Sequence, residues 1–247
     1  MPGHFSIGTS NIVLPGPKKE FPPDFHNKSR LHYYSTLFNS LEVNSSFYKV
    51  PMLRTFERWR EETIPGFRFT VKLWKGITHV KKLAYDPLDI ENFMMAANGI
   101  GDKKGCLLIQ FPASINSDYT KVVQQILDRI KKGNRGKRWS IAVEFRHISW
   151  YTRETFTMLD KFKACVVLHD MPASKNETVR TKADFVMTRY HGIKGDYRGS
   201  YSKAFLKREA GKIKQWLQMG KDVYAYFNNT LGEAFENAKT LGRYVEG

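Results

Sequence analysis

In the stretch "WSIAVEFRHISW", Trp139 to Trp150, an apolar run ends on Glu144, Arg146 and His147 within four residues. A carboxyl group can give or take a proton, a guanidinium offers a planar fork to phosphate or carboxylate, and an imidazole serves as acid or base near neutrality. The same kind of ending recurs along the chain. "SLEVNSSF" supplies Glu42, Asn44 and Ser46, "FRFTVKL" supplies Lys72 with Trp74 just beyond, and "GCLLIQF" supplies Gln110. "ACVVLHD" closes on His169 and Asp170, "DFVMTRYHG" carries Arg189 and His191, and "DVYAYFNN" ends on Asn228 and Asn229.

Alternate residues of a strand face opposite sides. With Ile141, Val143 and Phe145 on one face, Ala142, Glu144 and Arg146 share the other. By the same parity Leu41 and Val43 leave Glu42, Asn44 and Ser46 together, and Phe69, Val71 and Leu73 leave Thr70 and Lys72. Several strands therefore aim charge at one volume, where each charge must be paired, hydrated or bound to ligand.

Glu42 and Glu144 are the only glutamates on these inward positions near the strand ends, which makes them candidates for general acid and base. Equally, each can neutralise a cation, Glu144 with Arg146 or Arg189 and Glu42 with Lys72. Lys72, Arg146 and Arg189 form a candidate anion clamp, since three cations face few carboxylates; the alternative is an internal salt-bridge network. His79, His169 and His191 with Glu42, Glu144 and Asp170 include ligand types for a divalent metal, but no HxH or HxxxH spacing occurs, and no metal site is assigned to particular residues. His147 is read as a loop residue and Trp150 as a packing one. No GxSxG elbow, Walker sequence or GxGxxG is present.

The elements that must hold these residues are eight β-branched and aromatic runs, the seven above preceded by "FSIGTS", alternating with segments of helical period. The helical segments include "SRLHYYSTLFNS", "MLRTFERWREE", "DPLDIENFMMAANGI", "SDYTKVVQQILDRIKK", "TRETFTMLDKF", "KAFLKREAGKIKQWLQM" and "LGEAFENAKTLGRYV". Ser29, Asp86 with Pro87, Ser117 and Thr152 stand where N-caps belong. Eight strands with intervening helices suit a (β/α)8 TIM-type barrel, whose working face is the C-terminal ends of the strands. "MPASKNETVRTKA" leaves room for little more than a turn, so the sixth helix is expected to be degenerate. No Pro-, Gly- or Ser-rich linker divides residues 1–247, which reads as one domain.

Composition sets the bounds. The 247 residues are 41% hydrophobic and 14% aromatic, enough for a sizeable core. No window reaches 18 apolar residues and the start "MPGHFSIGTS" lacks the pattern of a signal peptide, so a cytoplasmic protein without a membrane partner is expected. Cys106 and Cys165 lie in apolar runs as small hydrophobes. The net charge of +16 and pI near 9.7 favour an anionic partner, a small molecule or a nucleic acid. The densest basic cluster, "KKGNRGKR" at 131–138, falls at the end opposite the candidate site, and the remaining charge is spread over both ends, which weakens the nucleic-acid reading.

"GTS", "LEVNSSFY", "FTVKLWKGITHVKKL", "LLIQFPAS", "AVEFRHISW", "RYHG" and "YFNN", in this order over almost the whole chain, resemble the YecE-like family of domains of unknown function. The resemblance implies a TIM-type barrel and a site location, and no reaction. This chain has Asn11 and Ile12 where the family usually has Gly-Trp, and Pro112-Ala113 where it usually has a proline pair. The resulting expectation is a hydrolase-like enzyme acting on an anionic or polyhydroxylated substrate. Glu144 and Glu42 are its catalytic residues, and Lys72, Arg146, Arg189, His191, Asn44, Asn228, Asn229, His79 and Asp170 bind the substrate. The alternatives are a nucleic-acid-binding or nucleic-acid-processing protein, and a ligand sensor without turnover.

Overall fold

A computed structural model describes residues 2–134 and 139–247, so Arg135 to Arg138 of the basic cluster lie outside the described residues. Strands and helices follow in the order β1 (Phe5–Thr9), α1 (Arg30–Leu37), β2 (Ser40–Val43), α2 (Ser45–Tyr48), α3 (Leu53–Glu62), β3 (Arg68–Lys72), α4 (Lys75–Thr78), α5 (Pro87–Ala97) and β4 (Lys104–Phe111). They continue as α6 (Thr120–Gly133), β5 (Ser140–Phe145), α7 (Arg153–Lys161), β6 (Cys165–Val166), β7 (Leu168–His169), β8 (Phe185–Tyr190), α8 (Lys203–Gln218), β9 (Asp222–Phe227) and α9 (Ala234–Glu246).

The helices form where apolar residues recur at helical spacing. α6 buries Val123, Ile126, Leu127 and Ile130, and α9 buries Phe235, Ala238, Leu241 and Val245. Ser29 accepts from the His32 amide, Asp86 from Leu88 with Pro87 in the first turn, and Thr152 from Thr155. Ser117 does not cap. The 3-10 turn Ser117–Tyr119 precedes α6, and Asn116 caps it through the Asp118 amide, because an Asn side chain reaches the amide two residues on.

All strand ladders are parallel, in two sheets ordered β1-β9-β8-β7 and β2-β3-β4-β5-β6. This corrects the expected single set of eight strands. The run expected as the sixth strand breaks at Val167, with Cys165 and Val166 pairing with β5 and Leu168 and His169 with β8. The Val167 amide still donates to the Val143 carbonyl at 2.8 Å. On the other side the sheets meet at a parallel bridge between Ser10 and Glu42, supported by a 2.8 Å bond from the Asn11 amide to the Glu42 carbonyl. Between β7 and β8 there is no α-helix. A 3-10 turn at Pro172–Ser174 leads to Asn176, which exchanges both backbone bonds with His169 and sends its amide to the Val167 carbonyl.

Strand parity separates two cores. Ile141, Val143 and Phe145 pack against the helices, where Phe145 stacks on the buried Trp150 at 4.3 Å. Leu108, Ala142, Cys165, Met187, Tyr224 and Tyr226 belong to an inner cluster shared by the two sheets. The Tyr226 hydroxyl bonds Ser40 and Thr70 there, so its polar tip is satisfied. Both cysteines are buried free thiols, and burial pushes Cys165 up to about 12, so neither is a reactive nucleophile. No helix among the described residues is long and apolar enough to cross a membrane.

The seam between β1 and β2 tolerates no side chain at Gly8. A Cβ there would stand 2.0 Å from the Ser40 carbonyl oxygen and 2.7 Å from the Tyr34 hydroxyl. Gly8→Ala is therefore expected to cost about 3 kcal/mol or more in urea unfolding with an unchanged m-value. A cost below about 1 kcal/mol would show that the seam is not closely packed.

Candidate functional site

The strand ends converge on an ion network centred on Arg189, at the end of β8 and 1% exposed. Its Nε donates to Glu42 Oε2 and its Nη2 to Glu42 Oε1, both at 2.7 Å. Its Nη1 donates to Glu144 Oε2 at 2.7 Å. Glu42 also accepts from Ser10 Oγ at 2.7 Å, and Glu144 Oε1 accepts from Arg146 through Nε and Nη2. Both carboxylates are fully buried.

Burial works against the ionised form of Glu42, but the Arg189 charge and hydrogen bonds outweigh it, aided by Ser10 and Lys72, and hold the carboxyl below its usual range. Burial opposes ionisation of Glu144 too, yet Arg146 and Arg189 hold it well below the usual range. Arg189 is driven the other way. Its burial is overcome by Glu144 and Glu42, which raise its pKa further.

His191 is buried beside this network. Arg146 Nη2 lies 3.0 Å and Arg189 Nη1 3.2 Å from its Nε2. Guanidinium nitrogens only donate, so Nε2 accepts and the ring proton sits on Nδ1, 3.2 Å from Asp170 Oδ1. Asp170 also accepts from the His191 amide at 2.8 Å and from the Tyr201 hydroxyl, while the Gly192 amide donates to Tyr201 Oη at 2.6 Å. Burial, despite the Asp170 hydrogen bond, lowers the His191 pKa. His169 turns away from the network. Its Nε2 meets the Tyr151 hydroxyl at 2.9 Å and the Phe145 carbonyl at 3.2 Å, and burial holds its pKa at about 4.

Lys72 ends β3 and is half-buried, its Nζ 4.1 Å from the centre of the Phe47 ring. Unlike the two arginines it has neither an ion pair nor a hydrogen bond from Nζ among the described residues. His79 packs edge-on to the same ring at 4.8 Å and is exposed on its other side. Lost solvent on the packed face, with Lys72, Arg146 and Lys75 nearby, holds its pKa at about 4. Asn44 Oδ1 is buried with no donor among the described residues.

The remaining candidates go elsewhere. Asn229 is buried with its amide on the Gly199 carbonyl and on Asn237, where it holds loops together. Asn228 is half-buried, its amide bonded to the Tyr190 carbonyl. His147 accepts from the Ser149 amide and hydroxyl, and Trp150 donates to the Ile115 carbonyl at 2.7 Å. Among the described residues no three His, Cys, Asp or Glu side chains are grouped to hold a metal ion. Reading the sequence did not single out Tyr201, Tyr151 or Phe47. Each is an aromatic in a loop or short helix, whose polar tip or face acquires a role only when another strand end arrives.

Two measurements follow from this geometry. Replacing Arg189 by Met leaves two buried carboxylates without their main partner and is expected to cost about 3–5 kcal/mol. For His169 the unfolded chain takes up its proton near pH 6.5 and the folded chain near 4. Its contribution is thus full above pH 6.5 and lost as pH falls towards 4, by about 3 kcal/mol in all. Unfolding free energy should decline through this window before the carboxylates titrate, and His169→Gln should flatten the decline.

The family model described as "Protein of unknown function DUF72" matches residues 6–247. The chain is similar to the UPF0759 protein YunF of Bacillus subtilis (strain 168), 26% identical over 90% of this chain and 88% of that one. It is also similar to the UPF0759 protein YecE of Escherichia coli (strain K12), 25% identical over 50% of this chain and 43% of that one. A solved DUF72 family protein of Enterococcus faecalis V583 (EF0366) superposes with a TM-score of 0.80 at 19% identity, covering 98% of this chain and 96% of that chain. Another from Thermotoga maritima MSB8 (TM1631) gives 0.77 at 26% identity, covering 99% of this chain and 100% of that chain. With matching sequence over residues 6–247 and the fold shared across these relatives, the chain belongs to the DUF72 family.

Proposed function

We propose that this protein is an enzyme acting on a small anionic or polyhydroxylated substrate held at the C-terminal ends of its strands. One domain carries the site, its two sheets closed as a (β/α)8 barrel through the Ser10–Glu42 bridge and the chain crossing at Val167; both features support that reading. The observation that carries the function is Lys72, whose Nζ makes no ion pair or hydrogen bond among the described residues. Glu42 and Glu144 are fully engaged by Arg189 and Arg146, so Lys72 and the remaining Nη1 of Arg146 are left to an incoming anion.

Roles follow from the electrostatics. Glu42 and Glu144 are held ionised, and Arg189 fills the gap between them, where a hydrolase of the two-carboxylate type places its scissile bond. They orient the arginines rather than deliver protons. His191, with Nδ1 fixed by Asp170, accepts at Nε2 from Arg146 and Arg189, so it becomes a proton acceptor for hydrolase-like chemistry only when a substrate anion draws one of those guanidinium groups away. Asn44 Oδ1 offers an acceptor to a substrate hydroxyl.

A nucleic-acid partner is the second reading, favoured by Tyr48, 66% exposed with Lys75 Nζ 5.5 Å from its ring, and by the exposed Tyr197. It requires binding of single strands that falls steeply with log salt.

Inorganic phosphate and pyrophosphate test the first reading directly. Both are expected to raise the melting temperature of the wild type. Lys72→Met, which breaks no ion pair, should keep its melting temperature without ligand and lose about tenfold or more in phosphate affinity by calorimetry. No phosphate effect on the wild type would sink the anion-site reading.

A further inference from the structure

The end of β3 presents a primary amine in an arrangement unlike the rest of the network. Ser46 Oγ donates to the Lys72 carbonyl at 2.7 Å and fixes the strand end. From there the side chain runs over Phe47, which leaves Nζ on an aromatic face instead of on a carboxylate. Glu42 and Glu144, the acids of this volume, have their oxygens taken by Ser10, Arg189 and Arg146. Arg146 keeps Nη1 without an acceptor among the described residues, on a side chain 12% exposed.

His79 lies against the same Phe47 ring. Its Nδ1 is 2.8 Å from the Thr78 hydroxyl and its Nε2 is 3.4 Å from Gln110 Nε2. An amide nitrogen can only donate, so His79 Nε2 carries the lone pair and Nδ1 the proton. A neutral imidazole therefore stands beside the amine, on the open side of the site.

We propose that Lys72 is a carbonyl-reactive amine that forms a Schiff base with the aldehyde or keto group of a small substrate whose phosphate or carboxylate lies on Arg146. This assignment rests on the anion-site reading above and names the substrate class: hydroxy- or keto-carbonyl compounds bearing one anionic group. The Nζ lone pair attacks the carbonyl carbon, a C–N bond forms, and the C=O π pair moves to oxygen. His79 carries a proton from nitrogen to that oxygen, giving a carbinolamine. Loss of water then gives the imine, so one amine and one carbonyl become one imine and one water, with no change of oxidation state. Burial first, then the charges of Arg189 and Arg146, partly offset by Glu144 and Glu42, hold the Lys72 pKa down to about 8. At pH 7 about a tenth of the residue is then the free amine, against well under a thousandth for an ordinary lysine.

Reductive trapping with the full chain decides the matter. Pyruvate and dihydroxyacetone phosphate are incubated with the protein and sodium cyanoborohydride at pH 7, and adducts are located by peptide mapping. Lys72 is expected to be labelled about tenfold or more faster than the exposed Lys75, Lys81 and Lys82, with phosphate suppressing only the Lys72 adduct. Its rate should rise with pH through about 8, and Lys72→Arg should remove it. Labelling of Lys72 no faster than Lys75, in protein that still binds phosphate, overturns this inference and leaves the anion site standing. Selective Lys72 labelling by pyruvate in protein that neither binds phosphate nor is protected by it supports the amine and overturns the anion reading instead.

Discussion

A buried guanidinium between two buried carboxylates is the constraint around which the site is built. Arg189 comes from β8, Glu42 from β2 and Glu144 from β5, so the contact joins both sheets through three strand ends. Desolvating three charges costs several kcal/mol each, and their mutual attraction returns much of that only because every oxygen and most of the guanidinium N–H groups find partners at about 2.7 Å. Such a cluster adds little net stability compared with an apolar plug. What it does is fix which strand ends meet and in what register.

The same pairing determines what is left over. Two carboxylates spent on two arginines leave Lys72 as a surplus cation, with Asp170 on the far side of the His191 ring, bonded to Nδ1, the His191 amide and Tyr201. The electrostatics therefore separate into a closed, ionised frame and a small open group of Lys72, Arg146 Nη1 and His79. The open group keeps donors free for a ligand among the described residues.

The loops are tied to this frame by single side chains. Asp170 ties the loop after β8 through His191 and Tyr201, Asn229 and Asn237 bind the segment at Gly199 and Ser200, and Asn11 receives the Asn44 amide next to the β1–β2 bridge. These short polar links position the loops by satisfying backbone and side-chain groups that the strand ends would otherwise leave unpaired.

The sequence by itself determined the alternation of strands and helices, the inward parity of Glu42, Lys72, Glu144 and Arg146, most helix caps, and the weak connection between Met171 and Asp184 where a helix is missing. These are local properties, set by periods of 2 and 3.6 and by the chemistry of capping residues. Tertiary structure alone decided that Glu144 and Arg189, 45 residues apart, and Glu42 and Arg189, 147 apart, are the pairs that form. It also turned Asn229 and His169 to loop and backbone partners, split the sixth run at Val167, and left Lys72 Nζ without an ion pair among the described residues. Parity says which face a side chain occupies, but which strand ends lie next to one another depends on how the two sheets meet across long stretches of chain. Nothing in the spacing of residues along the chain records that distance.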